Sequence, residues 1–315
     1  MAAIPEPVSH TVTAIHAAYE AKADRSERGY LGMSTMGDEC DRALWYSFRW
    51  ASPPEQFDGR KLRLFETGHR EEARMLDDLR AAGVQVEEID PATGKQWALE
   101  ALDGHFRGHL DGLGTGLPEA PKAEHVLEFK THSEKSFKDL QKKGVQDAKP
   151  GHYAQMQLYM HFSGVGRAFY LAHNKNTDEL HGERIAYDPV YALALVARAG
   201  RIIQAPRPLP KAHDDPTSKA AFACGWCRHR AACHEGHFAR SHCRTCLHST
   251  PAAGGKWHCG HWDKLLTQQE QAEGCPAHRY IPDLVPGEQT DVIGDDVIVY
   301  QMANGSEFRD GEPRP

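Results

Sequence analysis

Gly108-His-Leu-Asp111-Gly112 and Glu124-His-Val-Leu-Glu128-Phe-Lys130-Thr131 are the two stretches on which the reading of this chain turns. The first places Asp111 at the end of a short strand. In the second, side chains alternate between faces, so Glu128 and Lys130 share one side and Leu127 and Phe129 the other. A charged pair opposite an apolar pair suits a strand at the rim of a cleft. Asp111 and Glu128 offer the oxygen donors that hard cations such as Mg²⁺ or Mn²⁺ prefer. A cation there would acidify water and neutralise charge on a phosphate, and Lys130 would orient that water or offset the developing charge. Taken alone, the same residues also fit an ordinary strand-turn and a surface ion pair.

Upstream, Arg60 to about Ala82 reads as the clearest helix. Leu62, Phe65, His69, Glu72, Leu76 and Leu79 follow three-four spacing on one face, which turns His69 and Glu72 inward, and Gly83 stops the helix. An inward carboxylate needs a cation or metal as partner, although a structural salt bridge to an arginine would also serve. Downstream, Pro150 opens a helix to about Phe162 on which Gln155 and Tyr159 share a face. Other helices are expected from Ser9, as cap, to Ala23, over Cys40 to Phe48, after Ser133, and from Pro189 to Ile203. Strands are expected over 84–89, 96–102, 106–110, 126–130, 168–173 and 183–187. Residues 205–216 read as a connection. Val297–Met302 and Glu307–Phe308 flank Asn304-Gly305 as a hairpin. The fold class expected is α/β, a mixed sheet flanked by helices.

Gly68-x-x-x-Glu72, Gly108-x-x-Asp111-Gly112, Glu128-x-Lys130 and Gln155-x-x-x-Tyr159, in that order, resemble the RecB-like branch of the PD-(D/E)XK nuclease superfamily. The resemblance spans roughly residues 30–235, and the order and spacing of its short motifs carry it. It implies a restriction-endonuclease-like core with Glu72, Asp111 and Glu128 as Mg²⁺ or Mn²⁺ ligands and His69 as second choice. It further implies Lys130 as the catalytic lysine and Gln155 and Tyr159 as supporting residues of the catalytic centre.

The eight cysteines extend the resemblance. Cys40 before the core and Cys224, Cys227 and Cys233 after it are similar to the iron–sulfur nucleases of the same superfamily, including AddB-type and CRISPR-adaptation nucleases. That likeness implies a 4Fe–4S cluster clasping the N-terminal helix to the end of the core. A rival partition takes Cys224, Cys227, Cys243 and Cys246 as a zinc ribbon. The iron–sulfur partition leaves Cys243, Cys246, Cys259 and Cys275 as a compact second set. These four, or three of them with His242, His248, His258, His261 or His278, can satisfy tetrahedral zinc. A segment so poor in apolar residues needs a metal to fold. The division expected is 1–238 nuclease core with cluster, 239–288 zinc module, and 289–315 hairpin and tail.

A formal net charge of −7 excludes a simple polybasic binder, so phosphate contacts must be local. Lys130, Lys135, Lys138, Lys142, Lys143 and Lys149 form one candidate patch; a solvated helix face is the plainer reading. Charged residues make up 26% of the chain and no apolar run reaches membrane length, so a soluble chain without a membrane partner is expected. MAAIPEPVSH lacks the pattern of a secretory signal. The location expected is therefore a reducing cytoplasm, of a bacterium or a phage-infected host. The reading is a metal-dependent deoxyribonuclease, an exonuclease at single- or double-stranded DNA ends, in phage or bacterial repair or recombination. Alternatives are a non-catalytic DNA-binding or assembly factor and a CRISPR-like adaptation nuclease that works only with protein partners.

Overall fold

The chain begins with α1 (His10–Lys22), whose first turn is capped by Ser9 accepting from the Val12 N–H. A short strand β1 (Leu31–Gly32) leads to α2 (Asp41–Phe48), capped by the Cys40 sulfur, and to the long α3 (Gly59–Ala81). Short strands β2 (Gln85–Glu87), β3 (Ile89–Asp90), β4 (Lys95–Gln96), β5 (Ala98–Ala101) and β6 (Phe106–His109) precede β7 (Gly112–Leu117) and the long β8 (Ala120–His132). Then come α4 (Glu134–Ala148), α5 (Pro150–Ser163), β9 (Arg167–Asn174), β10 (Leu180–Ala186) and α6 (Pro189–Gln204). The C-terminal part holds α7 (Arg230–His234), β11 (Ser249–Ala252), β12 (Lys256–Cys259), β13 (Lys264–Leu266), α8 (Gln268–Glu273), β14 (Gly287–Ile293), β15 (Val297–Met302) and β16 (Glu307–Asp310). This computed structural model describes residues 9–294 and 297–312. Most of the stretch read against a secretory signal, and parts of the expected tail, lie outside the described residues. Among the described residues no helix is long and apolar enough to cross a membrane.

A five-stranded mixed sheet of order β10-β9-β8-β7-β2 organises the core. Only β8 and β9 run parallel, and α4 and α5 supply the crossover that a parallel pair requires. The sheet is covered on both faces. Leu127 and Phe129 pack with Met75, Leu76 and Leu79 of α3, while Val126, Ala168, Tyr170 and Ala172 join the main core beneath α5. This fixes Glu128 on the α5 side, because its neighbours alternate.

Several expected elements differ. The span 84–89 is two strands, and 96–102 breaks at Trp97 before β5. The strand ending in GHLDG belongs to a separate sheet, β1-β6-β5, so Asp111 sits where the chain passes from that sheet to β7 of the central one. Strand β7, GLGTGL, was not expected, since its glycines mask the strand pattern. The C-terminal hairpin gains a third strand, β14. Ser133 stands at the start of α4, but its side chain accepts no capping bond. Gly144 (φ 75°, ψ 170°) kinks that helix.

The α3 stripe also needs correction. Phe65 is 40% exposed and His69 is exposed, so only the C-terminal half of the helix meets the sheet. The N-terminal half packs against α1 instead, where the Gly59 N–H donates to Glu20 at 2.7 Å.

Gly108 lies beneath α5 with no room for a side chain. A Cβ there would stand 2.5 Å from Tyr159 Cε1 and 2.9 Å from Met33 Sδ. Gly108→Ala is therefore expected to lower stability by roughly 1–3 kcal/mol through overpacking, measured by urea unfolding. An unchanged midpoint would mean that Tyr159 yields freely.

Candidate active site and cysteine clusters

Strand β8 carries Glu128 into the interior, where its side chain is completely buried. Its two oxygens are both engaged. Oε1 accepts from the Lys130 ammonium, and Oε2 accepts from Gln155 Nε2 at 3.0 Å. The same amide lies 3.1 Å from the Tyr159 hydroxyl, one helical turn further along α5. Asp111 is held from β8 itself, its Oδ2 accepting from the Phe129 N–H at 2.8 Å. Glu72 approaches from α3, half-buried. The pair on β8 is thus the floor of the site and not its rim.

The charges act on one another. Burial pushes Glu128 up to about 7, with Lys130 opposing and Asp111 and Glu72 adding to the rise. Burial likewise raises Asp111, offset by Lys130 and the Phe129 N–H. Glu72 is raised by burial and by Asp111, against Lys130 and His69. Burial draws Lys130 down, but the attraction of Glu128 and Asp111 outweighs it, and the lysine stays charged. Three carboxylates, all raised by burial and two of them also by a neighbouring carboxylate, stand around one ammonium as an oxygen-donor set short of positive charge. His69, exposed on α3, acts on Glu72 only at longer range.

A second row of polar groups lies beside this set and escaped the sequence reading. The Tyr170 hydroxyl is bracketed by His132 Nε2 and His152 Nδ1, each at 2.8 Å, and His132 Nδ1 reaches Ser136 Oγ at 3.0 Å. Burial first, then Lys149 and Lys130, hold His132 at about 4; burial, Lys130, His132 and Lys149 hold His152 at about 3. Both imidazoles are neutral at neutral pH. A signal for them was present: His132 continues the Glu128–Lys130 alternation on β8, and His152 precedes Gln155 by one turn. Tyr170 is the register partner of Glu128 on β9, which only the strand pairing reveals.

The lysine run divides. Lys138 pairs with Glu134 and Lys143 with Asp139, one turn away on α4. Lys149, at the α4–α5 junction, and Lys175, whose N–H donates to the His132 carbonyl at 3.0 Å, flank the His–Tyr–His row instead.

The cysteines form two groups. Cys40, Cys224, Cys227 and Cys233 line one cavity of about 20 Å³, beside Tyr46 and His229. Asp41 and the carbonyl of Met36 hold Arg198 of α6, which fixes the loop that presents Cys40. Cys243, Cys246, Cys259 and Cys275 line a second cavity of about 10 Å³. His248, His261 and His278 border it as well, whereas His242 Nε2 donates to the Trp50 carbonyl and His258 Nε2 to the Asp263 carboxylate. The zinc-ribbon partition of Cys224, Cys227, Cys243 and Cys246 is not gathered. Among the described residues no three His, Cys, Asp or Glu side chains stand ready to hold a metal ion as they are. A shared cavity, not a finished ligand shell, is what each cysteine set displays.

No protein-family model and no curated protein matches the chain. Among solved structures, SSO0001 is similar at 12% identity and TM-score 0.43, over 71% of this chain and 96% of that one. An alkaline exonuclease, LHK-Exo, from Laribacter hongkongensis is similar at 12% identity and TM-score 0.40, over 59% and 90%. Its complex with dAMP gives 13% identity and TM-score 0.40, over 60% and 90%. Likenesses of this size assign no role to any residue here.

Because the fold favours neutral Glu128, the folded protein keeps a proton that the unfolded chain releases between pH 4.5 and about 7. Stability of the metal-free protein should fall as pH rises through that window. Glu128→Gln should flatten the fall and leave the variant more stable than wild type above it, by urea unfolding in chelator. An equally steep fall in the variant would remove Glu128 as its source.

Proposed function

We propose that the chain is a divalent-metal-dependent nuclease that hydrolyses DNA phosphodiester bonds, acting as an exonuclease at strand ends. The observation that carries the reading is the convergence of Glu72, Asp111 and Glu128 on the single ammonium of Lys130. The donor set suits Mg²⁺ or Mn²⁺: oxygen only, partly buried, and short of positive charge. Glu72, Asp111 and Glu128 would hold the ion, which supplies charge neutralisation at the phosphate and acidification of water.

The remaining work belongs to the side chains. Lys130 keeps its proton and offers an N–H donor to water or to a phosphate oxygen as negative charge develops. Gln155 fixes one oxygen of Glu128, and Tyr159 fixes Gln155, so the carboxylate keeps its orientation when Lys130 moves. The peptide N–H of Phe129 does the same for Asp111. Lys149 and Lys175, which flank the buried row of neutral imidazoles, would take the strand's backbone beside the carboxylates.

The first cysteine set is proposed as the ligand set of a 4Fe–4S cluster. What supports this is the shared cavity, which joins the cap of α2 to the segment after α6. Four cysteines suit such a cluster, whose part here would be to clasp the two ends of the core. The second set is proposed as a zinc site. Action in bacterial or phage DNA repair or recombination, within a cytoplasm, completes the proposal, as does the division at residues 238 and 288.

End-labelled single- and double-stranded DNA with Mg²⁺ or Mn²⁺ tests the activity. Lys130→Ala is expected to slow cleavage on the order of 10²–10³-fold with the fold intact. Normal cutting by the variant would refute the site, and a folded, metal-loaded wild type that never cuts would favour a binding scaffold.

Lys149→Gln with Lys175→Gln should lower the salt dependence of single-strand binding by about 0.7 per lost phosphate contact. Lys138→Gln with Lys143→Gln should leave it unchanged; equal effects of the two pairs would exclude a local strand path.

Protein prepared without oxygen should show the visible absorption of the cluster, and Cys227→Ala should bleach it and lower the unfolding temperature. A colourless wild type would end the cluster assignment.

A further inference from the structure

Two guanidinium groups lie in the interior where the C-terminal segment meets α2. Arg49 and Arg244 are each only 2% exposed. Arg244 donates to the carbonyls of Phe48 (2.9 Å) and Gly29 (3.0 Å) and to Gln271 Oε1 (2.9 Å), and lies 3.7 Å from the centre of the Trp50 ring. Arg49 donates to the carbonyls of Arg244 (3.2 Å), Ser249 (3.0 Å) and Ala205 (3.5 Å), while its buried Nε–H has no acceptor among the described residues. None of these partners is a carboxylate. Glu27, which attracts Arg244 at longer range, is itself ion-paired with Arg240.

Buried charges are ordinarily paired, because losing water costs more than carbonyl dipoles return. Here two like charges share one wall of aromatic rings, Arg49 at 4.8 Å and Arg244 at 4.7 Å from the Trp257 ring centre. Such a pair calls for an anion. Burial draws Arg49 down to about 10, and a negative charge on Cys246 would oppose that fall. Two of the three carbonyls that hold Arg49 belong to Arg244 and Ser249, which flank Cys246 in the chain, and the Ser249 N–H donates to the Cys246 carbonyl at 3.1 Å. Cys246 opens onto the small cavity shared with Cys243, Cys259 and Cys275. Three of these four thiols are buried.

We propose that Cys243, Cys246, Cys259 and Cys275 bind one divalent thiophilic cation as a tetrathiolate, and that Arg49 and Arg244 are the counter-charges of that centre. Four thiolates around one divalent ion leave two negative charges, which matches the two unpaired guanidiniums. Each thiol gives up its proton to solvent as the metal–sulfur bond forms, and nothing is oxidised or reduced. Cys243, whose thiol now donates to the Glu270 carbonyl at 3.2 Å, exchanges that bond for the metal. In the Cys243-Arg-Thr-Cys246 turn the arginine stands between two ligands, so the ion that orders the turn also sets Arg244 against Trp50 and the end of α2. This deepens the zinc reading given above and is independent of whether the chain cuts DNA.

The experiment uses full-length protein with Zn²⁺, and Co²⁺ as spectroscopic stand-in. Wild type should carry one equivalent, give a Co²⁺ spectrum of four sulfur ligands, and release one proton per thiol by calorimetry in two buffers. Cys259→Ser should lose that metal while Cys40→Ser keeps it. Arg49→Gln should weaken the site about 10–100-fold in chelator competition, and Arg49→Lys should recover much of the loss. No bound metal, with all four thiols open to alkylation, overturns the proposal. So does a site of three thiolates and one imidazole, which carries too little charge. Tight binding unchanged in Arg49→Gln would leave a metal site but refute the counter-charge role. Should Arg49→Gln fail to fold, the ligand spectrum and proton count of wild type still decide.

Discussion

A carboxylate buried on the central strand sets the terms for the half of this structure built on the five-stranded sheet. Glu128 has no contact with water, so every neighbour must either supply a proton, a positive charge or a hydrogen bond. Lys130 and Gln155 meet that demand from opposite sides, one from the same strand and one from α5. Their positions require the parallel β8–β9 pair, because only that pairing places α5 over this face. The crossover helices, the tight seat of Tyr159 over Gly108 and the anchoring of Asp111 by the Phe129 N–H all follow from the same requirement.

A second electrostatic constraint operates at the other end of the molecule. Arg49 comes from the turn after α2 and Arg244 from the cysteine-rich segment, and each is held by carbonyls of the other region. Trp50, at φ 53°, occupies a conformation that a bulky residue seldom adopts. It is kept there by the Arg244 guanidinium on its ring and by its indole N–H on the Arg28 carbonyl, at 2.9 Å. These contacts tie the cysteine-rich segment to the turn after α2. His105 Nε2 at 2.8 Å from the Ala252 carbonyl, and the Gly255 N–H on the Asp103 carbonyl at 2.6 Å, tie β11 and the turn after it to the turn before β6.

The two polar layers differ in how they resist solvent. Around Glu128 the carboxylates outnumber the ammonium, and Glu72 is only half-buried. Around Arg49 and Arg244 the excess is positive and sealed by Trp257, which is fully buried. Between them, α2 and β6 carry apolar side chains into the main core.

The sequence by itself determined the local geometry: alternation put Glu128 and Lys130 on one face of β8, helical spacing joined Gln155 to Tyr159, and Ser9, Pro150 and Pro189 marked helix starts. Such features depend on neighbours within a few residues, and period and capping encode them. Tertiary structure alone decided what those residues meet. It buried Glu128, left His69 in solvent, set Tyr170 beside Glu128 across a parallel pairing, and sorted the eight cysteines into two cavities. It also exposed the pair of carboxylate-free arginines, which look like ordinary surface cations in the sequence. Burial and long-range pairing depend on how elements pack across the chain, and no local pattern carries that information.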